Sequence, residues 1–266
     1  MNADPKAGET PRECVLETRA LSVNFGGLKA VDKVDMQVFR RDIHGVIGPN
    51  GAGKTTFFNM LTGFIEPVSG QIFLKGRDIT GLSPHQAVTL GMCRSFQNIK
   101  LFKHMTVLEN VKIGFHHRLG TNLLSAVFRS GKYHRDERFV VEQGMELLAA
   151  MGLERFAGIK AANLPYGTQR RLEIARALAS DPEILLLDEP AAGMNPAETT
   201  ELMADIRKIN QTGRTIVIIE HDMKLIMNLC HMITVLNQGI KICEGDAAKV
   251  RNDPEVIQAY LGRSAG

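Results

Sequence analysis

The run Gly48-Pro49-Asn50-Gly51-Ala52-Gly53-Lys54-Thr55-Thr56 constrains this chain more than any other segment. Its glycines let the backbone curl until successive N–H groups point inward, which makes a concavity for anions. Ile43–Ile47 precedes it as a short apolar strand, and a helix is expected from about Lys54 to Gly63. The positive end of that helix faces the same concavity. Strand, glycine-rich loop and helix in that order are the setting of a phosphate-binding loop. Lys54 is then placed to neutralise β- and γ-phosphates, and the Thr55 hydroxyl to hold Mg²⁺.

A second segment complements the first. Ile184–Leu187 reads as a buried strand that ends in Asp188 and Glu189, followed by Pro190. Open α/β sheets collect their ligands at such strand ends. Adjacent residues on a strand point to opposite sides, so two acids can hold two roles. Asp188 suits the Mg²⁺ shell, and Glu189 suits a general base for water.

The rest of the chain is consistent with an enclosing α/β domain. Its 266 residues suffice for one large domain with a lobe, and the net charge of +3 gives no argument for a nucleic-acid partner. No apolar run approaches the roughly 18–20 residues that cross a bilayer, and the first residues do not read as a signal peptide, so a cytosolic chain is expected. Cys14, Cys93, Cys230 and Cys243 fall at no metal-ligand spacing.

Residues 1–13 read as a loose leader. Alternation between Cys14 and Phe39 suggests antiparallel strands, and Gly70–Leu74 another strand. Ser83-Pro84 opens a helix. Between about residues 98 and 180 the apolar residues follow helical spacing, as in Val140, Val141, Met145 and Leu148, which suggests a helical lobe. Strands alternating with helices resume after it, and Asn237-Gln238-Gly239 turns a final hairpin. The expected division is a core lobe of residues 14–97 and 181–266 around a helical lobe of 98–180. The alternation implies a parallel sheet.

Asn163-Leu164-Pro165-Tyr166-Gly167-Thr168-Gln169-Arg170, with Ile174–Leu178 behind it, lies between the two chemical motifs. Here the chain resembles the ATP-binding-cassette ATPases, whose signature is a Leu-Ser-Gly-Gly-Gln loop opening a helix. Leu164, Gly167 and the helix are kept, while Pro165 stands for the serine, Tyr166 for the first glycine and Thr168 for the glutamine. The resemblance implies a P-loop fold with a RecA-like parallel core, an antiparallel β subdomain and a helical signature subdomain. It implies ATP and Mg²⁺ as cofactors, with Leu164 and Gly167 capping the ATP of a partner subunit. Gln97, after an expected strand Met92–Phe96, resembles the loop glutamine that senses Mg²⁺ and reaches the transporter. His221 resembles the switch histidine at the γ-phosphate. Phe25 sits where the family stacks an aromatic on adenine, and a core phenylalanine remains an equal reading. Asn195 stands where the family carries an aspartate.

Tyr-Gly-Thr-Gln-Arg-Arg-Leu-Glu, Asp-Glu-Pro-Ala-Ala-Gly-Met-Asn-Pro and the ending Asn-Asp-Pro-Glu-Val-Ile-Gln-Ala-Tyr-Leu-Gly are similar to LivG-type ATPases of bacterial branched-chain amino acid importers. What that implies is a heterodimer with a sister LivF-type ATPase, two permease subunits, a periplasmic amino-acid-binding protein and a place on the inner face of the plasma membrane. ATPases of urea or amide importers and of lipopolysaccharide exporters are related alternatives, and a soluble cassette protein is a remote one. The basic stretch His116–Arg138 resembles a subfamily insertion that meets the membrane side or stays solvated.

Overall fold

Alternate residues of the central strands belong to two different cores. Leu185 and Leu187 of β7 (Ile184–Asp188) and Ile216 and Ile218 of β8 (Thr215–Ile219) enter one apolar cluster. Ile184, Leu186, Val217 and Ile219 enter the other. A strand covered on both faces has no polar side to show, which is why these segments read as unbroken apolar runs. The computed structural model describes residues 12–95, 99–115 and 131–261. The leader to residue 11, Gln97, the basic stretch as far as residue 130 and the final residues from 262 lie outside the described residues.

The six-stranded sheet has the order β10-β9-β3-β8-β7-β6, with β3 (Ile43–Ile47), β6 (Met92–Arg94), β9 (Met232–Asn237) and β10 (Ile240–Gly245). All neighbours are parallel except β9 and β10, which form a hairpin. Gln238 and Gly239 turn that hairpin at φ 48° and 82°, the left-handed pair that a tight two-residue turn requires. β6 ends at Arg94, and the Ser95 N–H still bonds the Leu186 carbonyl at 2.9 Å; Phe96, the expected last residue of that strand, lies outside the described residues.

A smaller antiparallel sheet covers one face. Its order is β2-β1-β4-β5, from β1 (Cys14–Phe25), β2 (Leu28–Phe39), β4 (Ser69–Leu74) and β5 (Arg77–Asp78). Helix α1 (Lys54–Leu61) lies between the two sheets and buries Phe57, Phe58, Met60 and Leu61. Arg12 and Glu13 are tied to this lobe by ion pairs with Asp42 and Arg40.

The other face carries helices. Val107–Gly114, Gly131–Ala150 and Tyr166–Leu178 pack together there as helices. Arg171 fastens the group to the core: its Nε donates to Asp205 at 2.7 Å on helix Pro196–Gln211, and its Nη2 donates to the Met151 carbonyl at 2.6 Å. Two short C-terminal helices follow, Ala247–Asn252 and Pro254–Leu261, which the sequence does not announce. Asp246 and Asp253 cap them by accepting first-turn N–H groups, and neither helix is long enough to show a period. Among the described residues no helix is long and apolar enough to cross a membrane.

Candidate nucleotide site

Parallel register brings the two chemical motifs to one sheet edge. Ile219 of β8 lies level with Val46 of β3 on one side and with Asp188 of β7 on the other. The loop after β3, the acids after β7 and Glu220-His221 after β8 therefore leave the sheet at the same height. Such a crevice at the carboxyl ends of parallel strands is where open α/β sheets take ligands.

The loop backbone is fixed by contacts that admit glycine alone. A Cβ on Gly48 (φ 154°) would meet the Leu236 carbonyl oxygen at 2.1 Å, and one on Gly53 (φ 96°) the Ala30 carbonyl oxygen at 2.4 Å. The β9–β10 turn braces the loop from behind, since the Gly239 N–H bonds the Ala52 carbonyl at 3.1 Å and the Asp32 N–H bonds the Gly239 carbonyl at 2.8 Å. Lys54 is buried, and its Nζ donates to the carbonyls of Gly48 at 2.7 Å and Pro49 at 3.0 Å. The ammonium thus lies inside the curl of its own loop. Asn50, Gly51 and Thr55 are exposed; Pro49 and Ala52 are buried and Thr56 is half-buried.

Asp188 is buried. Its Oδ2 accepts a hydrogen bond from Arg94 Nη2 at 2.5 Å, while its Oδ1 has no hydrogen-bond partner among the described residues. A buried carboxylate oxygen left without a donor is unfavourable unless a cation or its water uses it. The residues present therefore fit an Mg²⁺-nucleotide: a cradle of N–H groups, a lysine, the Thr55 hydroxyl and an orphaned acid oxygen.

Glu189 follows at φ 45°, an uncommon backbone for a non-glycine residue. Its N–H bonds the Ile219 carbonyl at 3.0 Å, which carries the β7–β8 ladder one step past the strand. Glu220 is buried, and sequence reasoning missed it. Its carboxylate accepts the Ala191 N–H at 2.8 Å and the His221 N–H at 3.3 Å. Burial pushes its pKa above the ordinary carboxylate value, and these N–H bonds and His221 oppose the shift in part. The His221 side chain is largely exposed, with Nδ1 at 3.8 Å from Glu220 Oε2.

Phe25 ends β1 and is 51% exposed, so the core reading is excluded. The hairpin it opens runs through Ala30 and Asp32, which touch the loop and its brace.

The signature segment stands apart from this cluster. Leu164 is buried in the apolar cluster that the helices share with the central sheet. Pro165 occupies the N-cap of helix Tyr166–Leu178 with no side-chain cap bond. The Tyr166 ring lies over Gly193, where a Cβ would stand 3.2 Å from it, and Gly167 is closed in by the Glu198 carboxylate. Asn195 caps helix Pro196–Gln211: its side chain accepts from the N–H groups of Ala197 and Glu198, and the Asn195 N–H in turn donates to the Glu198 carboxylate. An asparagine serves that cap as well as the acid it replaces.

Comparison with known proteins agrees with this geometry. Residues 31–192 match the ABC transporter family, and residues 241–266 match the branched-chain amino acid ATP-binding cassette transporter family. The high-affinity branched-chain amino acid transport ATP-binding protein BraF of Pseudomonas aeruginosa is 46% identical over 94% of this chain and 98% of its own length. LivG of Escherichia coli, of the same description, is 44% identical over 94% and 98%. A nucleotide-free ATP-binding cassette from an ABC transporter superposes with a TM-score of 0.81 at 32% identity, covering 93% of this chain and 98% of that one. The chain belongs to the ABC transporter family, as an ATP-hydrolysing cassette in the group of the branched-chain amino acid transport ATP-binding proteins.

Proposed function

We propose that this chain hydrolyses ATP to drive the import of leucine, isoleucine and valine through a membrane transporter whose membrane-spanning parts are other chains. The observation that carries the cargo is the match of residues 241–266 to the branched-chain family, together with the identity to BraF and LivG along the whole chain.

In this reading the loop of residues 48–56 holds the ATP phosphates, and Lys54 leaves the Gly48 and Pro49 carbonyls to meet them. Thr55, Asp188 and Gln97 would hold Mg²⁺, which would supply charge neutralisation at the phosphates. Glu189 accepts a proton from the attacking water, and His221 donates to the γ-phosphate. Phe25 stacks on adenine.

One phosphate loop supplies half of the groups that surround a γ-phosphate. Pro165 gives helix Tyr166–Leu178 no side-chain cap bond, and an uncapped helix N-terminus suits a phosphate held by a second cassette. The chain therefore works as a nucleotide-sandwich dimer, with a LivF-type sister ATPase as its partner. Two permease subunits complete the assembly on the inner face of the membrane, supplied by a periplasmic amino-acid-binding protein. A groove of about 500 Å³ between the two lobes, walled by Phe64, Arg94, Ile113 and Arg176, suits a helix of a permease.

Purification from membranes through a tag on this chain tests the reading. The sister ATPase and both permeases are expected to co-purify, and leucine-loaded binding protein is expected to raise Mg²⁺-dependent ATP turnover. A chain that leaves the membrane alone and shows no response to the loaded binding protein would overturn it.

A further inference from the structure

We propose that Arg94 is a positioning residue for Asp188: it pins one carboxylate oxygen so that the other is presented to Mg²⁺. The inference rests on the nucleotide site proposed above and adds a residue to it.

Arg94 is the last residue of β6, the edge strand beside β7. Its side chain is 7% exposed and that of Asp188 is 2% exposed. The guanidinium divides its nitrogens between two elements. Nη2 donates to Asp188 Oδ2 at 2.5 Å at the end of β7. Nη1 donates to Asn59 Oδ1 at 2.7 Å and to Thr62 Oγ1 at 3.1 Å, on and just beyond α1. Thr62 is itself held, because its hydroxyl donates to the Phe58 carbonyl at 2.7 Å. The Phe58 and Phe64 rings lie 5.7 Å and 5.8 Å from the guanidinium carbon and flank it apolarly. The result is a rigid bracket between the helix that the phosphate loop opens and the strand that ends in the metal-binding acid.

The bracket explains the orphaned Oδ1. A carboxylate held through one oxygen has its plane and rotamer set, and the second oxygen then has a fixed direction. Without Arg94 the acid turns freely and its two oxygens exchange places. A lysine keeps the charge but cannot hold two elements from separate, coplanar nitrogens. Arg94 also walls the inter-lobe groove, so a body seated there touches the residue that orients the metal-binding acid.

The test uses the full chain and ATP, whose binding is followed by titration calorimetry with Mg²⁺ at a series of concentrations and again in excess chelator. Partners that orient a ligand from behind typically contribute about 10–100-fold in metal affinity. Arg94→Lys and Arg94→Met are expected to raise the Mg²⁺ concentration for half-maximal effect by about that range, with Met the larger, while ATP affinity in chelator stays within about twofold. Melting curves in chelator establish that each variant is folded; should Arg94→Met fail to fold, Arg94→Lys decides. A folded Arg94→Lys chain with an unchanged or lowered Mg²⁺ requirement overturns the proposal and leaves Arg94 as charge compensation for a buried acid. A wild-type chain that binds no ATP would instead overturn the nucleotide site itself.

Discussion

The Glu220 carboxylate accepts the backbone N–H of Ala191 at 2.8 Å, which ties the end of β8 to the loop that follows Glu189. That bond crosses from one strand end to the next and holds the segment in which Glu189 sits at φ 45°. Glu220→Ala leaves the Ala191 N–H without its acceptor, at a cost of about 1–3 kcal/mol, and lets the loop shift. A misplacement near 1 Å costs up to about 100-fold in rate. Turnover is therefore expected to fall about 10–100-fold in Glu220→Ala and to recover in Glu220→Gln, which keeps an acceptor oxygen. Steady-state ATPase assays of both variants check this; equal losses would assign the effect to charge rather than to the N–H bond.

Glu189→Gln is expected to bind ATP as wild type does and to hydrolyse it about 10²–10⁴-fold more slowly, the usual contribution of a general base. Binding by calorimetry and turnover by phosphate release separate the two. Near wild-type turnover would remove Glu189 from the base role.

Two ATP sites of unequal strength are expected in the assembled heterodimer. Pro165 offers neither hydroxyl nor N–H at the cap of helix Tyr166–Leu178, and Tyr166 covers Gly193. A hydroxyl there bonding a phosphate contributes about 1.5–3 kcal/mol. The site over the partner's loop is the weaker one, so Lys54→Ala costs more turnover than the equivalent change in the sister chain, and Pro165→Ser raises turnover. Equal losses from the two lysine variants, or a Pro165→Ser transporter with unchanged ATPase, would count against the asymmetry.

Acid stability carries the signature of His44. The ring is buried in β3, its Nε2 lies 2.8 Å from Thr234 Oγ1, and its Nδ1 has no hydrogen-bond partner among the described residues. Burial, helped by the charges of Lys241 and Arg12, pushes its pKa down to about 3 from 6.5. A depressed pKa means that the unfolded chain binds the proton first as pH falls. The stabilisation is whole above pH 6.5 and is lost towards pH 3, at about 1.4 kcal/mol per pH unit for one group. Glu173, Asp205 and Glu220 are raised by burial and act in the opposite sense, and they are common to wild type and variant. Urea unfolding of wild type and His44→Gln from pH 8 to 4 gives a difference that is flat above pH 6.5 and moves in favour of the variant below it. A parallel pair of curves would refute a neutral buried His44.

Local structure is legible in the sequence, and long-range pairing is not. The loop of residues 48–56, the strand ending at Asp188 and the 237–239 turn each carry their signal within a few neighbours, through glycine, apolar runs and acids. Ser83 and Asn195 cap helices through residues three positions away. Arg94 and Asp188 are 94 positions apart, and nothing local distinguishes Arg94 from a surface arginine. Glu220 hid beside His221 because an acid at a strand end reads equally well as solvated. Phe25 reads equally as core or surface in the sequence, since one aromatic at the end of an alternating strand fits either face, and the fold exposes it.

Uptake of radiolabelled leucine measures the central claim most directly. In cells whose own copy of this chain has been removed, the wild-type chain is expected to restore high-affinity leucine uptake, and Lys54→Ala, expressed and membrane-associated to the same level, is expected to leave it at background. Uptake that survives the removal, or that Lys54→Ala restores in full, would contradict an ATP-driven role for this chain in branched-chain amino acid import.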